Sequence, residues 1–567
     1  MSSMITTATW VPRGFAAPFP KKYTFDEAEF ERIAELAKLK LDDANDDLEE
    51  AQEEQDGGAK LQGEGAASAK DASNEGAMDE DEEEYATKYR LRDWVFANSH
   101  RRVDVNDDDL KEYDLEHYDD DDEDQPEGQK MDMFGNVKSL AYYDSNKEDP
   151  YITIPDGQDD EDEDREDLQI LATDNLLLAA KVEDELAHLE VYVYEDDSDN
   201  LYVHHDIMLP AIPLCVEWLD VAVGKQAVEQ QNSAANFVAI GTMDPDIEIW
   251  DLDTVDCMYP NAILGQGGNP EDEKKRKKKK KSKKANDEYH VDAVLSLAAN
   301  RKHRNLLASA SADKTVKLWD LNTTKCAKSY SYHTDKVCSL AWHTVESTVL
   351  LSGSYDRTIV AADMRAPDAK VHRWGVESDV ENVRWDPHDP NCFFASTENG
   401  IIHYHDARNA PSSPSESKPL WTLQAHDESL SSFDVNSQIP GFMATGSTDK
   451  TVKLWNITPT GPQMVVSRNL DVGRVFSATF APDVDVAFRL AVAGSKGTMH
   501  IWDTSTNASV RKAFGNKMAN QPQADVEDKL VGVAADDSSS DSDEGEEDEE
   551  DDDEDGQDSD ADSMEED

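Results

Sequence analysis

Three sets of His, Ser or Thr, and Asp recur at matching intervals in the second half of this 567-residue chain. His290, Ser309 and Asp313 make the first set, His333, Ser352 and Asp356 the second, and His426, Thr445 and Asp449 the third. A hydroxyl, an imidazole and a carboxylate are the parts of a hydrolase triad, where the carboxylate orients the imidazole and the imidazole takes the hydroxyl proton. The same groups can instead link into one buried hydrogen-bond chain in which each polar atom satisfies the next. Trp319 and Trp455 each follow the hydroxyl by 10 residues, so an indole N–H is on hand to extend that chain. No G-x-S-x-G elbow and no phosphate-binding loop accompanies the sets. They are therefore read as structural, which leaves no catalytic residue, cofactor, metal site or small-molecule substrate to expect.

The elements that must position these residues are short strands in a repeat. The phrase ASASADKTVKLWD at 308–320 returns as ATGSTDKTVKLWN at 444–456, with weaker copies at 238–251, 351–363, 395–406 and 493–503. Each copy is two β-rich runs joined by a polar turn. The anchor position falls at Trp250, Trp319, Ala362, His405, Trp455 and Trp502, at spacings of 69, 43, 43, 50 and 47. A period in the forties is that of propeller blades. The one long spacing contains a lysine-rich loop, 267–289, whose removal restores the period. An apolar pair at 176–181 and 189–194 supplies a degenerate first blade without Trp. The expected fold is all-β, a seven-bladed WD-repeat β-propeller over 170–515. Its closing strand is expected from 139–143, from 151–154 or from residues just after Asp503.

Charge separates this body from its flanks. Residues 1–169 hold 51 acidic and 18 basic residues, and 536–567 hold 21 acidic and none basic, so they carry 54 of the 68 net negative charges. Such segments lack the apolar density to offset their ordering entropy. The expectation is a linear motif plus amphipathic helix in 1–41, with the helix at 25–41. A disordered acidic linker follows at 42–130, a partly ordered lead-in at 131–169, and a disordered acidic tail at 516–567. Trp10, Pro12, Arg13 and Phe15 lie in otherwise polar surroundings and are read as an anchor for a partner outside the propeller. The run 274–284 comprises Lys274, Lys275, Arg276, Lys277, Lys278, Lys279, Lys280, Lys281, Lys283 and Lys284, with Ser282 its single non-basic residue. It reads as a nuclear-import signal, an RNA contact gripping phosphates without sequence preference, or both. Ser538, Ser540, Ser559 and Ser563 each have an acid three residues on and are candidate phosphorylation sites. The five cysteines form no C-x-x-C pair, and no signal pattern or membrane-length apolar run occurs, so a reducing intracellular setting without membrane is expected.

The phrases WVPRGF at 10–15, LKEYDLEHYD at 110–119 and MFGNVKSLAYYDSNKEDPYITI at 133–154, followed by WD repeats and an acidic tail, resemble the periodic tryptophan protein 1 family. The likeness runs from near residue 4 to about 505. It departs at Ala362 and His405, which replace Trp, and in the acidic insertion near 42–84. The resemblance implies a nuclear and nucleolar scaffold in ribosome biogenesis, acting in pre-rRNA processing and large-subunit assembly. Its expected partners are pre-ribosomal particle proteins and rRNA. Two other classes remain in view. The acidic tail suits a chromatin or histone-binding adaptor. Asp363-x-Arg365 and Asp406-x-Arg408 resemble the D-x-R ends of ubiquitin-ligase substrate receptors.

Overall fold

Each blade takes its shape at its polar turn. In Ala312-Asp313-Lys314-Thr315 the Asp313 carboxylate accepts from the Thr315 amide at 2.9 Å, and Lys314 adopts φ +70°. This side-chain-closed turn sets the antiparallel register of Leu306–Ser311 with Val316–Asp320, Ala310 facing Val316. The turn recurs with Asp356 and Arg357 at φ +61°, and with Asp449 and Lys450 at φ +66°.

The computed structural model describes residues 3–24, 168–184, 186–223, 235–265, 286–366, 370–517 and 528–533. Among them seven four-stranded sheets form the expected seven-bladed propeller. Their innermost strands are Ser3–Val11, Pro213–Leu219, Val294–Ala299, Val337–Trp342, Val380–Trp385, Ser432–Val435 and Val475–Phe480. Each packs on the innermost strand of the next blade, and Ser3–Val11 meets Val475–Phe480 to close the ring. Turns between second and third strands, and connections from an outer strand to the next blade, share one rim, here called upper. The other connections share the lower rim.

The apolar core is divided into seven layers, one at each blade junction. Between blades two and three, for example, Phe237, Ile249 and Leu264 meet Val294, Leu307 and Trp319. Hydrogen bonds between inner strands run alongside these layers. Ser296, Ser339, Ser432 and Ser477 accept through Oγ from the amides of Leu340, Val383, Ala478 and Ala8 at 3.0–3.2 Å. A blade therefore borrows much of its buried surface from its neighbours.

Closure differs from expectation. The degenerate first blade does contain Asn175–Glu183 and Leu186–Glu195, but its inner strand is Ser3–Val11, paired from Ser3 opposite Glu183 to Val11 opposite Leu176 with one bulge between Ile5 and Thr7. The seventh blade ends with Lys529–Gly532, not with the residues just after Asp503, which form a 3-10 turn and a short helix. The expected span 170–515 thus omits two strands of the propeller. Residues 25–41, 42–130 and 139–154 lie outside the described residues, as does the lysine run 274–284.

Candidate interaction platform

The recurrent His, hydroxyl and Asp residues do meet. In blade three the Trp319 indole donates to Ser309 Oγ at 2.8 Å, the Ser309 hydroxyl pairs with His290 Nε2 at 2.7 Å, and His290 Nδ1 pairs with Asp313 at 2.9 Å. An acceptor-only carboxylate fixes the direction: Nδ1–H donates to Asp313, and Nε2 receives the hydroxyl proton. Blade six repeats this with Trp455, Thr445, His426 and Asp449 at 2.9, 2.8 and 2.8 Å. Blade four keeps His333 with Ser352 at 2.8 Å and Asp356 at 3.1 Å, and Ala362 supplies no indole.

The geometry resembles a triad, but the hydroxyls are sealed. Ser309 and Thr445 are wholly buried, and each has one lone pair filled by a tryptophan N–H. Burial holds the His290 and His426 imidazoles below their ordinary pKa, against the pull of their aspartates. Burial alone would raise the Asp313 carboxyl, but hydrogen bonds from His290 and Thr315 bring it down to about 2. In blades three, four and six these groups tie the chain ahead of the inner strand to the second and third strands, with hydroxyl and imidazole buried away from any substrate.

The other two anchor tryptophans are buried but differently satisfied. Trp250 Nε1 donates to Glu248 on its own strand at 3.2 Å. Trp502 Nε1 donates to Asp528 at 3.0 Å. Asp528, which sequence reasoning missed, also accepts from Arg468 at 2.7 Å, Thr506 at 3.2 Å and Asn507 at 3.1 Å. It fastens the outer strand of blade seven. In blade five the network is gone. His405 takes the anchor place, stacks on Phe393 with ring centroids 5.3 Å apart, and neither of its nitrogens has a hydrogen-bond partner.

Trp10, Pro12, Arg13 and Phe15 pack on this chain's own propeller rather than standing free of it. Trp10 is 6% exposed, and its indole donates to the Thr479 carbonyl of blade seven at 3.1 Å. Trp342 and Trp385, at the ends of other inner strands, donate to Ala298 at 2.9 Å and Ala341 at 3.2 Å in the same way. Trp10 thus belongs to the repeat. Phe15 packs edge-on to Trp218 of blade two at 4.7 Å. The Arg13 amide donates to Asp483 at 3.1 Å and its Nε to Asn175 at 2.8 Å, tying blade seven to blade one, and Pro12 is half-buried between them. The missed signal was periodicity: Ala8-Thr9-Trp10-Val11-Pro12 copies Ala478-Thr479-Phe480-Ala481-Pro482 and resembles Val383-Arg384-Trp385-Asp386-Pro387.

Of the remaining candidates, only Arg365 and Arg408 lie among the described residues. Leu264, ending blade two, and His290, heading blade three, are described residues on either side of the lysine run, which itself lies outside the described residues. Arg365 and Arg408 lie on the lower side, each forked onto the aspartate two residues before it. Ser538, Ser540, Ser559 and Ser563 lie outside the described residues. Among the described residues no group of three or more His, Cys, Asp or Glu is placed to hold a metal ion, and no helix is long and apolar enough to cross a membrane.

Comparison with known proteins agrees with the repeat. The WD domain, G-beta repeat model matches residues 284–320, 324–361 and 417–456, stretches that hold the three His–hydroxyl–Asp sets. Periodic tryptophan protein 1 of Saccharomyces cerevisiae is 39% identical over 93% of this chain and 93% of its own. The chain belongs to the periodic tryptophan protein 1 family. The Drosophila melanogaster homologue of that name is 32% identical over 89% of this chain and 95% of its own. An uncharacterised WD repeat-containing protein of Schizosaccharomyces pombe is 49% identical over 95% and 96%. None of these names is that of an enzyme, and a WD40 propeller is typically a non-catalytic scaffold.

Proposed function

We propose that this member of the periodic tryptophan protein 1 family is a non-enzymatic scaffold of ribosome biogenesis. It works in the nucleus and nucleolus, in pre-rRNA processing and assembly of the large subunit. The observation that carries the reading is a run of ten basic residues in eleven set between blades two and three of a rigid body whose triad-like hydroxyls are sealed. Such a run grips phosphates without reading bases, as suits a chain that must stay on folded rRNA while proteins come and go. The propeller rims hold neighbouring assembly factors. Phosphorylation of Ser538, Ser540, Ser559 and Ser563 deepens the negative field of the tail toward basic partners.

The tail, with 21 acids and no base in 536–567, favours a second reading, an adaptor for histones. Gradient sedimentation of tagged protein from nuclear extract separates the two. Cosedimentation with large-subunit precursors, lost after RNase treatment, supports the first. Migration with nucleosomes supports the second, and migration with a ubiquitin-ligase adaptor at the Asp363-x-Arg365 and Asp406-x-Arg408 ends overturns both.

A further inference from the structure

Of the 22 prolines, two directly follow a serine or threonine: Pro414 after Ser413 and Pro459 after Thr458. A serine or threonine with proline next suits a protein kinase whose pocket for that next residue is apolar and offers no acceptor. An ordinary amide N–H buried there without a partner is costly, whereas proline has no N–H to strand. On sequence the two sites are equal. The fold separates them.

Thr458 ends Val452–Thr458, the third strand of blade six, and stands opposite Gly461 across the Pro459-Thr460 turn. Its hydroxyl donates to the Gly461 carbonyl at 2.7 Å and pairs with the Thr460 hydroxyl at 2.8 Å. Reaching a kinase would mean opening the hairpin. Ser413 lies in 407–420, the connection from third to fourth strand of blade five. The same connection is only 321–324 in blade three and 459–460 in blade six. The longer loop is fastened at its ends, where the Ala407 amide donates to Asn391 at 2.8 Å and the Leu420 amide to Tyr404 at 2.7 Å.

Between these ends Pro414–Glu416 make a single 3-10 turn seated on His372–Gly375, the outermost strand of blade four. The approach is close: a Cβ on Gly375 would come within 2.5 Å of the Pro414 carbonyl oxygen. Ser413, just ahead of the turn, is extended at φ −138° and ψ 153°, and its side chain caps no amide. Its half-buried hydroxyl pairs with that of exposed Ser415 at 2.9 Å, a bond internal to the loop. Ala410 and Ser417, on either side, are extended as well. The chain around Ser413 thus has nearly the form a kinase groove accepts, and its neighbours Ser412 and Glu416 are exposed.

We propose that Ser413 is a phosphorylation site for a proline-directed protein kinase, and that Thr458 is not. Ser413 Oγ attacks the γ-phosphorus of a magnesium-bound nucleoside triphosphate. The Oγ–P bond forms as the bond to the β-phosphate oxygen breaks, the diphosphate leaves with that electron pair, and the hydroxyl proton passes to the kinase's aspartate. The product sets about −1.5 to −2 of charge and three acceptor oxygens on the outer edge, where the loop of blade five lies against blade four. Lys418 is the one cation in 409–420, so the loop neutralises little of that charge. Ser413 also has an acid three residues on, Glu416, the signal carried by the tail serines, so proline and acid must be tested apart.

The test incubates the folded full-length chain with a purified proline-directed kinase and radiolabelled ATP, and maps the phosphate by mass spectrometry. A peptide of residues 407–420 serves as the unfolded reference. Ser413 of the native chain is expected to label at a rate within about tenfold of the peptide, with Thr458 unlabelled. Ser413→Ala abolishes the label and Ser413→Thr retains it. Pro414→Ala lowers the rate at least about tenfold, and Glu416→Gln by less than about twofold. Melting curves of all variants should match the wild type, because a surface loop contributes few packed contacts. The chain purified from its own cells with phosphatases inhibited should carry phosphate at Ser413. Four results each overturn the proposal: a native chain that stays unlabelled while the peptide labels, label at Thr458 or elsewhere in place of Ser413, a rate indifferent to Pro414→Ala, or a cell-derived chain bare at Ser413 through growth and arrest.

Discussion

Replacing Trp10 by alanine removes an indole that is buried where blades seven and one meet, and leaves the Thr479 carbonyl without its donor. Truncating a buried large aromatic costs about 3–5 kcal/mol. For a propeller of roughly 340 residues, at ~2.1 cal/mol/K of unfolding entropy per residue, a loss of about 4 kcal/mol lowers Tm by about 5–6 °C. Trp10→Phe keeps most of the packing and loses mainly the hydrogen bond, about 1–3 kcal/mol, so its Tm falls by about 1–4 °C. Trp385→Ala, in the same place on blade five, should fall into the range of Trp10→Ala. Calorimetry on the full-length chain reads all three. If Trp10→Ala melts like wild type while Trp385→Ala does not, Trp10 is not a member of the inner-strand repeat and the assignment of Ser3–Val11 to blade one is wrong.

Acid should weaken the propeller through blade five. Burial, followed by the charge of neighbouring His403, holds His405 down at about 4. The unfolded imidazole, with its pKa near 6.5, takes up a proton first, so stability is full above about pH 6.5 and falls as pH drops toward 4. Tm measured from pH 7.5 to 4.5 should decline less steeply in His405→Trp, and an identical slope removes His405 as the cause. Asp528→Asn should free the last strand, seen as faster amide exchange at 529–532 with the inner strands still protected; uniform exchange across the blade counts against a local latch. Deleting 274–284 should leave Tm unchanged and cut nuclear accumulation or salt-sensitive RNA retention, and if both persist the run has no such role.

Blades three, four and six were legible because their polar networks demand particular residues at particular positions, so His290, Ser309, Asp313 and Trp319 announce themselves together. Blade five was legible only through its period, since His405 and Ala395 occupy places where the network would put Trp and Ser. The N-terminal strand was misread because Trp10 was judged against its polar neighbours rather than against Trp342 and Trp385, whose indoles make the same bond hundreds of residues away. Asp528 stood 26 residues beyond Trp502, in a stretch where one more aspartate carries no signal. The reach of a long-range hydrogen bond does not show in local pattern.

The placement of Ser3–Val11 also sets a timetable for synthesis. Of the propeller's described strands it is synthesised first, and its ladder partner Asn175–Glu183 is separated from it by 163 residues. Its other neighbour, Val475–Phe480, follows near the end of the chain. At about 5–20 residues per second, Ile5 and Trp10 wait roughly 20 to 90 seconds for the blade-seven residues that pack on them, whereas Val11, packed with Leu176 and Trp218, waits roughly 10 to 40. Until Asn175–Glu183 emerges this β-segment has no strand to pair with, and until Val475–Phe480 emerges its face toward blade seven stays uncovered, so a chaperone or escort arriving during translation would find a handhold there.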